Sequence, residues 1–261
     1  MTVPPISPRP TLQLRSVLLG EGRPKVCVPL VATTAAALGV AAAALPAGDF
    51  DLVELRIDFL DALCDTGSVI AAVEAVRTAL PNCIPILFTF RTAREGGQRD
   101  ISADDYEALL AVAVSAGVDA VDVEMFTERD HLMRIVENAH SAGIPVVMSS
   151  HDFAKTPPRD EIVSRLMAQQ ELGADVVKIA VMPTSPRDVL TLMDATEHFV
   201  ATVATRPAIT MSMGALGVVS RLAGETFGSS LTFGSVGAAS APGQVDARTL
   251  KSILDVVHAA G

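Results

Sequence analysis

The sequence predicts an α/β fold, a (β/α)8 TIM barrel with a short N-terminal β-hairpin, and three observations lead to this prediction. Short apolar runs recur along the chain, with helical patterns between them. Gly117, Gly143 and Gly173 end three of these helical patterns. A weak internal repeat places charged residues at equivalent points of alternate apolar runs. A chain of 261 residues has the length that eight βα units require.

The predicted barrel strands are the short apolar runs. They are Lys25–Leu30, Leu52–Ile57, Ile84–Phe90, Ala120–Val123, Pro145–Met148, Val176–Val181, Ala208–Met211 and Leu231–Phe233. Apolar residues at positions i, i+3, i+4 and i+7 predict helices between them, and the clearest sets are Tyr106, Leu109, Leu110, Ala113 and Leu132, Ile135, Val136, Ala139. A doubly wound sheet is the alternative fold. It usually has fewer strands and a glycine fingerprint after the first one, and the sequence contains no G-x-G-x-x-G.

The N-terminal segment predicts the hairpin. Residues Leu12–Leu19 either alternate between apolar and polar or form an apolar run, and this pattern breaks at Gly20–Gly22 and resumes at Lys25–Leu30. Such a pattern is expected for a short hairpin that leads into a core strand. Residues 1–10 are rich in proline and lack the continuous apolar stretch of a secretion signal, so a flexible leader is expected there. We expect residues 1–261 to form a single barrel domain.

Composition narrows the class of protein. A formal net charge of −10 argues against a nucleic-acid partner, because nucleic-acid binders need a basic face. The three cysteines have no metal-type spacing and form no disulfide framework, which is typical of a reducing cytosol. The apolar stretch Val28–Ala47 contains Pro29 and Pro46 and lacks aromatic anchors, so it predicts a strand and a helix. The sequence therefore predicts a cytoplasmic protein that binds neither nucleic acid nor membrane.

Lys178 interrupts the run Gly173–Pro183, which otherwise predicts a fully buried strand. Burial disfavours the ammonium form and can lower a lysine pKa by up to about 3 to 5 units, which leaves a neutral amine able to attack a carbonyl. The alternative is a core lysine that reaches solvent or pairs with a carboxylate. Lys178 is therefore a candidate for Schiff-base chemistry.

The internal repeat suggests what surrounds this lysine. The repeat reads DLVE, DAVD and DVVK in the second, fourth and sixth predicted strands. Because alternate strands of a barrel share a layer of inward side chains, Glu54, Asp122 and Lys178 are expected to converge near the axis. Arg56 and Glu124 are expected one step higher. A structural barrel would fill this layer with Val, Ile and Leu, so a functional cluster is favoured over a paired structural one.

His151 follows the fifth predicted strand, where a general acid or base would lie, and its reference pKa of about 6.5 suits proton transfer. A lone histidine is more often an ordinary polar residue. The pair His151-Asp152, or the carboxylates of the layer, could instead bind a metal. Adjacent strand residues point to opposite faces, and a cation would have to coexist with Lys178 and several arginines. We therefore predict no metal.

The last two units carry many glycines, and such loops hold phosphate in many barrels. Arg221 with Ser240 and Gln244 suits a planar carboxylate at least as well, through a guanidinium fork and neutral donors. The simplest interpretation of Met211 and Met213 is packing in the wall. Both kinds of anion remain open at this point.

Several short motifs, spread from the second strand to the last loop, together resemble one enzyme family. In chain order they are Glu54-Leu-Arg56, Phe88-Thr-Phe-Arg91 with Glu95-Gly-Gly, Ser150-His-Asp-Phe153, Lys178-Ile-Ala-Val-Met-Pro183, Met211-Ser-Met-Gly214, Ser220-Arg-Leu-Ala-Gly224 and Ser240-Ala-Pro-Gly-Gln244. They resemble the motifs of type I 3-dehydroquinate dehydratases and cover nearly all of the chain.

The resemblance implies the third step of the shikimate pathway, a syn elimination of water from 3-dehydroquinate that gives 3-dehydroshikimate. It also implies that no metal or organic cofactor takes part and that the protein is a homodimer. Lys178 would form an imine with the substrate ketone, His151 would remove and later return a proton, and Glu95 would support His151. The implied substrate-binding residues are Glu54, Arg56 and Arg91 for ring hydroxyls, Arg221 for the carboxylate, Ser240 and Gln244 on a closing loop, and Met211, Met213 and Phe233.

Two other functions remain open from the sequence. A class I aldolase also uses a barrel-strand lysine, and a phosphate requirement would favour it. A non-catalytic barrel that senses dehydroquinate would keep the fold and the pocket. Loss of Lys178 or His151 would indicate the sensor, and both residues are present.

Overall fold

The structure, a computed structural model, describes residues 9–237 and 243–260, so most of the predicted leader, residues 1–10, lies outside it. The strands are β1 (Leu12–Leu14), β2 (Val17–Leu19), β3 (Lys25–Leu30), β4 (Leu52–Arg56), β5 (Ile86–Thr89), β6 (Ala120–Glu124), β7 (Val146–Asp152), β8 (Val176–Val181), β9 (Ala208–Ser212), β10 (Leu231–Ser235) and β11 (Val245–Asp246). The α-helices are α1 (Ala35–Ala43), α2 (Thr66–Ala79), α3 (Ala103–Ser115), α4 (Arg129–Ser141), α5 (Arg159–Glu171), α6 (Pro186–Thr202), α7 (Val218–Leu222), α8 (Gly224–Phe227) and α9 (Ala247–Ala259). Short 3-10 helices follow β4 and β5, at Ile57–Phe59 and Ala93–Glu95.

Strands β3 to β10 form the barrel wall and confirm the predicted (β/α)8 fold. They are parallel and lie in chain order from β3 to β9, with β10 beside β3. The circle closes between β9 and β10, where the N–H of Ser230 donates to the carbonyl of Ala208 at 2.7 Å. Further along β9, serine hydroxyls accept the N–H groups of Thr210 and Ser212 at 3.0 and 2.9 Å. These hydroxyls replace the missing strand ladder at the closure.

Strand β7 is longer than the apolar pattern predicts, because it continues beyond Met148 to Asp152. Its main chain pairs with β8 over this extension, with His151 opposite Ala180 and Asp152 opposite Val181. Polar side chains hide the extension from a hydrophobicity pattern, whereas main-chain pairing does not depend on side-chain polarity. His151 is therefore held within a strand instead of a loop.

The predicted hairpin is formed by β1 and β2, which pair antiparallel. Its turn lies at Arg15–Ser16, inside the first apolar run, and not at the Gly20–Gly22 break. The side chains of Leu14, Val17 and Leu19 are buried against the inward residues at the N-terminal end of the barrel strands. The hairpin therefore closes this end of the barrel, and the opposite end is left for a ligand.

Helices α3 and α4 bury the faces that the sequence predicts. Gly117, Gly143 and Gly173 follow α3, α4 and α5 with φ of 80°, 72° and 95°. This left-handed region favours glycine, which explains why glycine ends these helices.

The internal repeat fixes the register of the strands. Asp51, Asp119 and Asp175 each donate a main-chain N–H to a residue of the preceding strand and accept that residue's own N–H through the carboxylate. These partners are Val26, Ile86 and Val146, with carboxylate distances of 2.7, 2.8 and 2.9 Å. Ser230 makes the equivalent main-chain bond before β10. Three positions further along each strand stand the residues of one inward layer, Glu54, Asp122, Lys178 and Phe233.

Candidate active site

The four residues of this layer meet inside the barrel. The Nζ of Lys178 donates to Oδ2 of Asp122 at 2.8 Å and lies 3.6 Å from Oε1 of Glu54. The ring of Phe233 lies beneath the same nitrogen, with its centroid 4.8 Å away. Lys178 is only 2% exposed, yet it contributes to the wall of a cavity. The predicted convergence is present, and Phe233 completes the layer.

The guanidinium of Arg91 neutralises carboxylates in and above this layer. It lies 2.7 Å from Asp122, 3.0 Å from Glu124 and 3.6 Å from Glu95. Burial opposes the ionisation of Asp122, but Arg91 and Lys178 outweigh burial and hold the pKa of that carboxyl below its usual range. Arg91 is predicted to bind substrate hydroxyls, and it does line the cavity. Its ion pairs give it a second task, the neutralisation of three buried carboxylates.

His151 pairs with Glu95, which lies at the end of the 3-10 helix after β5. Oε2 of Glu95 lies 2.9 Å from Nδ1 of His151 and also accepts the main-chain N–H of His151 at 3.1 Å. Burial and the neighbouring Glu124 raise the pKa of Glu95 to about 8. Burial, together with the charges of Arg91 and Lys178, lowers the pKa of His151 well below 6.5. Glu95 therefore titrates near pH 8, and its contact with Nδ1 leaves Nε2 of His151 for a substrate.

Arg56 ends β4 and is fixed in orientation by Asp58. Nε and Nη2 of Arg56 donate to the two carboxylate oxygens of Asp58, both at 2.8 Å. Asp58 is fully buried and also accepts the N–H of Gln98 at 3.2 Å. This carboxylate therefore connects Arg56 to the segment that carries Glu95, and the paired bonds fix the plane of the guanidinium.

Arg221 on α7 contributes a cation to the same cavity. Its Nη1 lies 3.8 Å from the sulfur of Met211, and the residue is only 2% exposed. Burial lowers the pKa of Arg221 to about 10, so the side chain remains charged at neutral pH. A buried guanidinium against an apolar wall is suited to bind a carboxylate on a small ligand.

One cavity at the C-terminal end of the barrel strands brings the predicted site residues together. Its wall consists of Glu54, Arg56, Arg91, Glu95, Gly96, His151, Phe153, Lys178, Ala180, Met211, Met213, Arg221, Phe233 and Gln244. Every predicted site residue lies in this wall except Ser240, which is outside the described residues.

Some residues of the site are not predicted from the sequence. Gly96, Phe153 and Ala180 line the cavity, and a Cβ on Gly96 would lie 2.3 Å from the ring of Phe153. Thr89 donates to Glu54 at 3.0 Å, and Ser149 donates to Asp122 at 2.6 Å. Glycine at position 96 and the nearby motif residue Phe153 offered a signal. Thr89 lies inside the motif Phe88–Arg91, whereas Ser149 lies inside β7, outside every motif, and offered no signal.

Residues 9–237 and 243–260 contain neither a metal-type cluster nor a membrane-spanning helix. Over these ranges, no three His, Cys, Asp or Glu side chains are grouped so that they could hold a metal ion. The site carboxylates face Arg56, Arg91 and Lys178 instead. No helix in the same ranges combines the length and the apolar character needed to cross a membrane.

The fold and the site first define a class of protein, an eight-stranded α/β barrel with a buried lysine and a histidine in the cavity at the C-terminal end of its strands. Residues 26–260 match the family model for type I 3-dehydroquinase. The chain belongs to the type I 3-dehydroquinase family.

Related proteins match this chain along almost its whole length. The chain is 51% identical over 246 residues to a 3-dehydroquinate dehydratase from Listeria monocytogenes, which covers 94% of this chain and 97% of the relative. It is 51% identical over 253 residues to the enzyme of the same name from Syntrophotalea carbinolica, with 95% and 98% covered. The crystal structure of a type I 3-dehydroquinate dehydratase from Clostridium difficile, with covalently modified comenic acid, superposes with a TM-score of 0.93. That match has 42% identity and covers 97% of this chain and 99% of the other.

Proposed function

We propose that this protein is a 3-dehydroquinate dehydratase that eliminates water from 3-dehydroquinate to give 3-dehydroshikimate, in the shikimate pathway, through an imine on Lys178. One observation carries the proposal: a buried amine, an imidazole and a guanidinium line a single cavity in a chain of the type I 3-dehydroquinase family. The amine would activate the ketone, the imidazole would move the proton, and the guanidinium would bind the carboxylate.

Lys178 would begin the reaction. Its neutral amine adds to the ketone carbon, and loss of water gives an iminium ion. Asp122, 2.8 Å from Nζ, and Glu54 supply negative charge beside the new cation, and the face of the Phe233 ring adds a weaker attraction. These groups already surround Nζ, so little reorganisation is needed when the charge forms.

His151 would transfer the proton. With Nδ1–H donating to Glu95, Nε2 can accept the proton from the carbon next to the iminium, whose bond electrons move toward the nitrogen and form an enamine. The enamine then expels the hydroxyl as His151 returns the proton to the departing oxygen, and water finally hydrolyses the imine. The contact of Nδ1 with Glu95 holds the ring in place, so that Nε2 can act first as base and then as acid.

The remaining cavity residues would orient the substrate. Glu54, Arg56 and Arg91 would bind ring hydroxyls, and Arg221 would bind the carboxylate with Gln244. Ser240 is proposed to join Gln244 over the substrate, on the basis of the sequence resemblance alone. Met211, Met213 and Phe233 would pack against the carbon ring. No metal or organic cofactor is needed for these steps.

The test is an activity assay in which formation of the conjugated enone of 3-dehydroshikimate is followed by ultraviolet absorbance. The wild type is expected to turn over without added metal, and Lys178→Ala is expected to lose at least about 10⁴-fold in kcat. Lys25→Ala is the matched control, because Nζ of Lys25 bonds to the carbonyl of Glu21, before the N-terminal end of β3. A wild type that binds 3-dehydroquinate without converting it would support the sensor, and a requirement for phosphorylated sugars would support the aldolase.

We also propose that residues 1–261 act as one domain, in the cytoplasm, as a homodimer without a nucleic-acid or membrane partner. The net charge of −10 and the free thiols of Cys27, Cys64 and Cys83 support this setting. The dimer follows from the resemblance to the family. Light scattering on the purified chain should give twice the mass of one chain, and a monomeric mass would refute the dimer.

A further inference from the structure

Gln169 on helix α5 is a fully buried glutamine that contacts the main chain of the lysine strand. Its Oε1 accepts the N–H of Lys178 at 2.8 Å, and its Nε2 donates to the carbonyl of Lys178 at 2.9 Å. One side chain therefore bonds to both main-chain groups of the residue that we propose forms the imine, in addition to the pairing of that residue with β7 and β9. The contact comes from the helix layer outside the barrel, whereas the lysine side chain points into the cavity.

An apolar residue would be expected at this position. The other buried residues of α5 are Ile162, Val163 and Leu166, and Gln169 continues their helical spacing. A buried amide without partners costs about 1 to 3 kcal/mol, so a glutamine fits here only because both ends of its carboxamide are bonded. The glutamine is therefore matched to the main chain of Lys178, because an apolar side chain could form neither of these two hydrogen bonds.

The same carboxamide also touches the strand that carries the lysine's carboxylate partner. Nε2 of Gln169 lies 3.5 Å from the sulfur of Met125, the residue that follows β6. Strand β6 carries Asp122, which accepts from Nζ of Lys178 at 2.8 Å. Gln169 therefore contacts, from outside the barrel, the main chain of Lys178 and the residue that follows the strand of its carboxylate partner.

We propose that Gln169 is a positioning residue for Lys178, an inference that rests on the imine function proposed above. By fixing the main chain at position 178, it sets the origin and direction of the lysine side chain relative to Asp122, His151 and the cavity. The reacting atoms must approach within about 3 to 3.5 Å, and a misplacement of 1 Å from a distant change can lower a rate by about 10²-fold. Gln169 does not contact the cavity and takes no part in substrate binding.

The next residue, Gln170, provides a matched control on the same helix. Its Oε1 accepts the N–H of Thr205 at 2.7 Å, and its Nε2 donates to the carbonyl of Val203 at 3.4 Å. It therefore makes the same kind of double main-chain contact, but to the segment before β9, away from the cavity wall. Removal of either carboxamide is expected to affect stability, whereas only Gln169 contacts Lys178.

The experiment compares Gln169→Leu, Gln169→Glu and Gln170→Leu with the wild type. For each, kcat and KM for 3-dehydroquinate and the single-turnover rate of the borohydride-trapped adduct at Lys178 are measured below the unfolding temperature. For Gln169→Leu we expect kcat and the trapping rate to fall about 10- to 100-fold, with KM within about twofold. Gln169→Glu keeps an acceptor for the N–H of Lys178, so it should lie between Gln169→Leu and the wild type. Gln170→Leu should keep kcat within about twofold of wild type, even if its melting temperature falls as far as that of Gln169→Leu.

Three results would overturn the positioning role. These are a kcat within twofold of wild type in a folded Gln169→Leu, an equal loss in Gln170→Leu, or a raised KM with unchanged kcat. If Gln169→Leu does not fold, the isosteric Gln169→Glu decides, and a normal trapping rate in it would overturn the role. A wild type that is active but unlabelled at Lys178 would refute the imine mechanism itself, which distinguishes the two failures.

Discussion

The two ends of the barrel use the same repeated sequence pattern for different tasks. At the N-terminal end, Asp119 bonds to the main chain of Ile86 and pairs with Arg15 and with Arg77, the latter at 2.8 Å. Three residues further along β6, Asp122 is fully buried and pairs with Lys178 and Arg91. The first charge of the repeat fixes strand register, and the last enters the cavity layer.

This difference shows how the fold tolerates a buried charged cluster. A buried ion pair contributes little net stability, because the cost of removing both charges from water offsets their attraction. The aspartates at the N-terminal end bond to main-chain donors and hold neighbouring strands in register. We infer that this end, closed by the hairpin, supports the layer in which Lys178, Glu54 and Asp122 meet.

The largest expected difference between the two ends of the barrel is in the effect of replacing a histidine on kcat. His151→Ala should lower kcat by about 10⁴-fold or more, because we propose that His151 acts both as base and as acid, and each role is typically worth about 10² to 10⁴-fold. His140 pairs with Asp175 at the N-terminal end, 2.9 Å away, and His140→Ala should keep kcat within about twofold. Steady-state assays measure both. Near-normal turnover in His151→Ala would make His151 structural and Glu95 the better candidate base.

The pH dependence of kcat/KM should sharpen the role of the cavity end. Below its pKa of about 8, Glu95 carries a proton and donates it to Nδ1, which leaves the ring proton of His151 on Nε2 and no base for the substrate. The wild-type kcat/KM should therefore rise with pH toward a plateau above about 8. In Glu95→Gln this titration is removed, and the remaining acid limb should lie below 6.5, since burial lowers the pKa of His151. An acid limb that is identical in both proteins would contradict the pairing.

The smallest effect on catalysis is expected at the N-terminal end. Asp119→Asn should weaken the bonds to Arg15 and Arg77 and lower the free energy of unfolding by about 1 to 3 kcal/mol. Its kcat/KM should stay within about twofold of wild type, whereas Asp122→Asn should lose most activity. Urea denaturation and kinetics on both variants test this. Loss of activity in a fully folded Asp119→Asn would mean that the two ends are not independent.

Much of this arrangement is predictable from the sequence because it follows strand periodicity. The repeat predicts that Glu54, Asp122 and Lys178 share a layer, and the structure places them together. The contacts of Gln169 are not predictable, because they join a helix to a main chain across a turn and leave no periodic signal. The serine hydroxyls at the β9–β10 closure and the extension of β7 to Asp152 are missed for a related reason. The residues at these places are polar, and a pattern of apolar residues reveals neither hydroxyl bonds to the main chain nor main-chain pairing.

The central claim is that Lys178 forms an imine with the substrate, and trapping tests it most directly. The protein is incubated with 3-dehydroquinate and reduced with borohydride, which converts an imine to a stable amine, and the modified peptide is identified by mass spectrometry. The chain has four lysines, at positions 25, 155, 178 and 251, and only Lys178 lies in the cavity wall. We expect substrate-dependent modification on Lys178 alone. Modification at another lysine, or none while turnover persists, would contradict the imine mechanism.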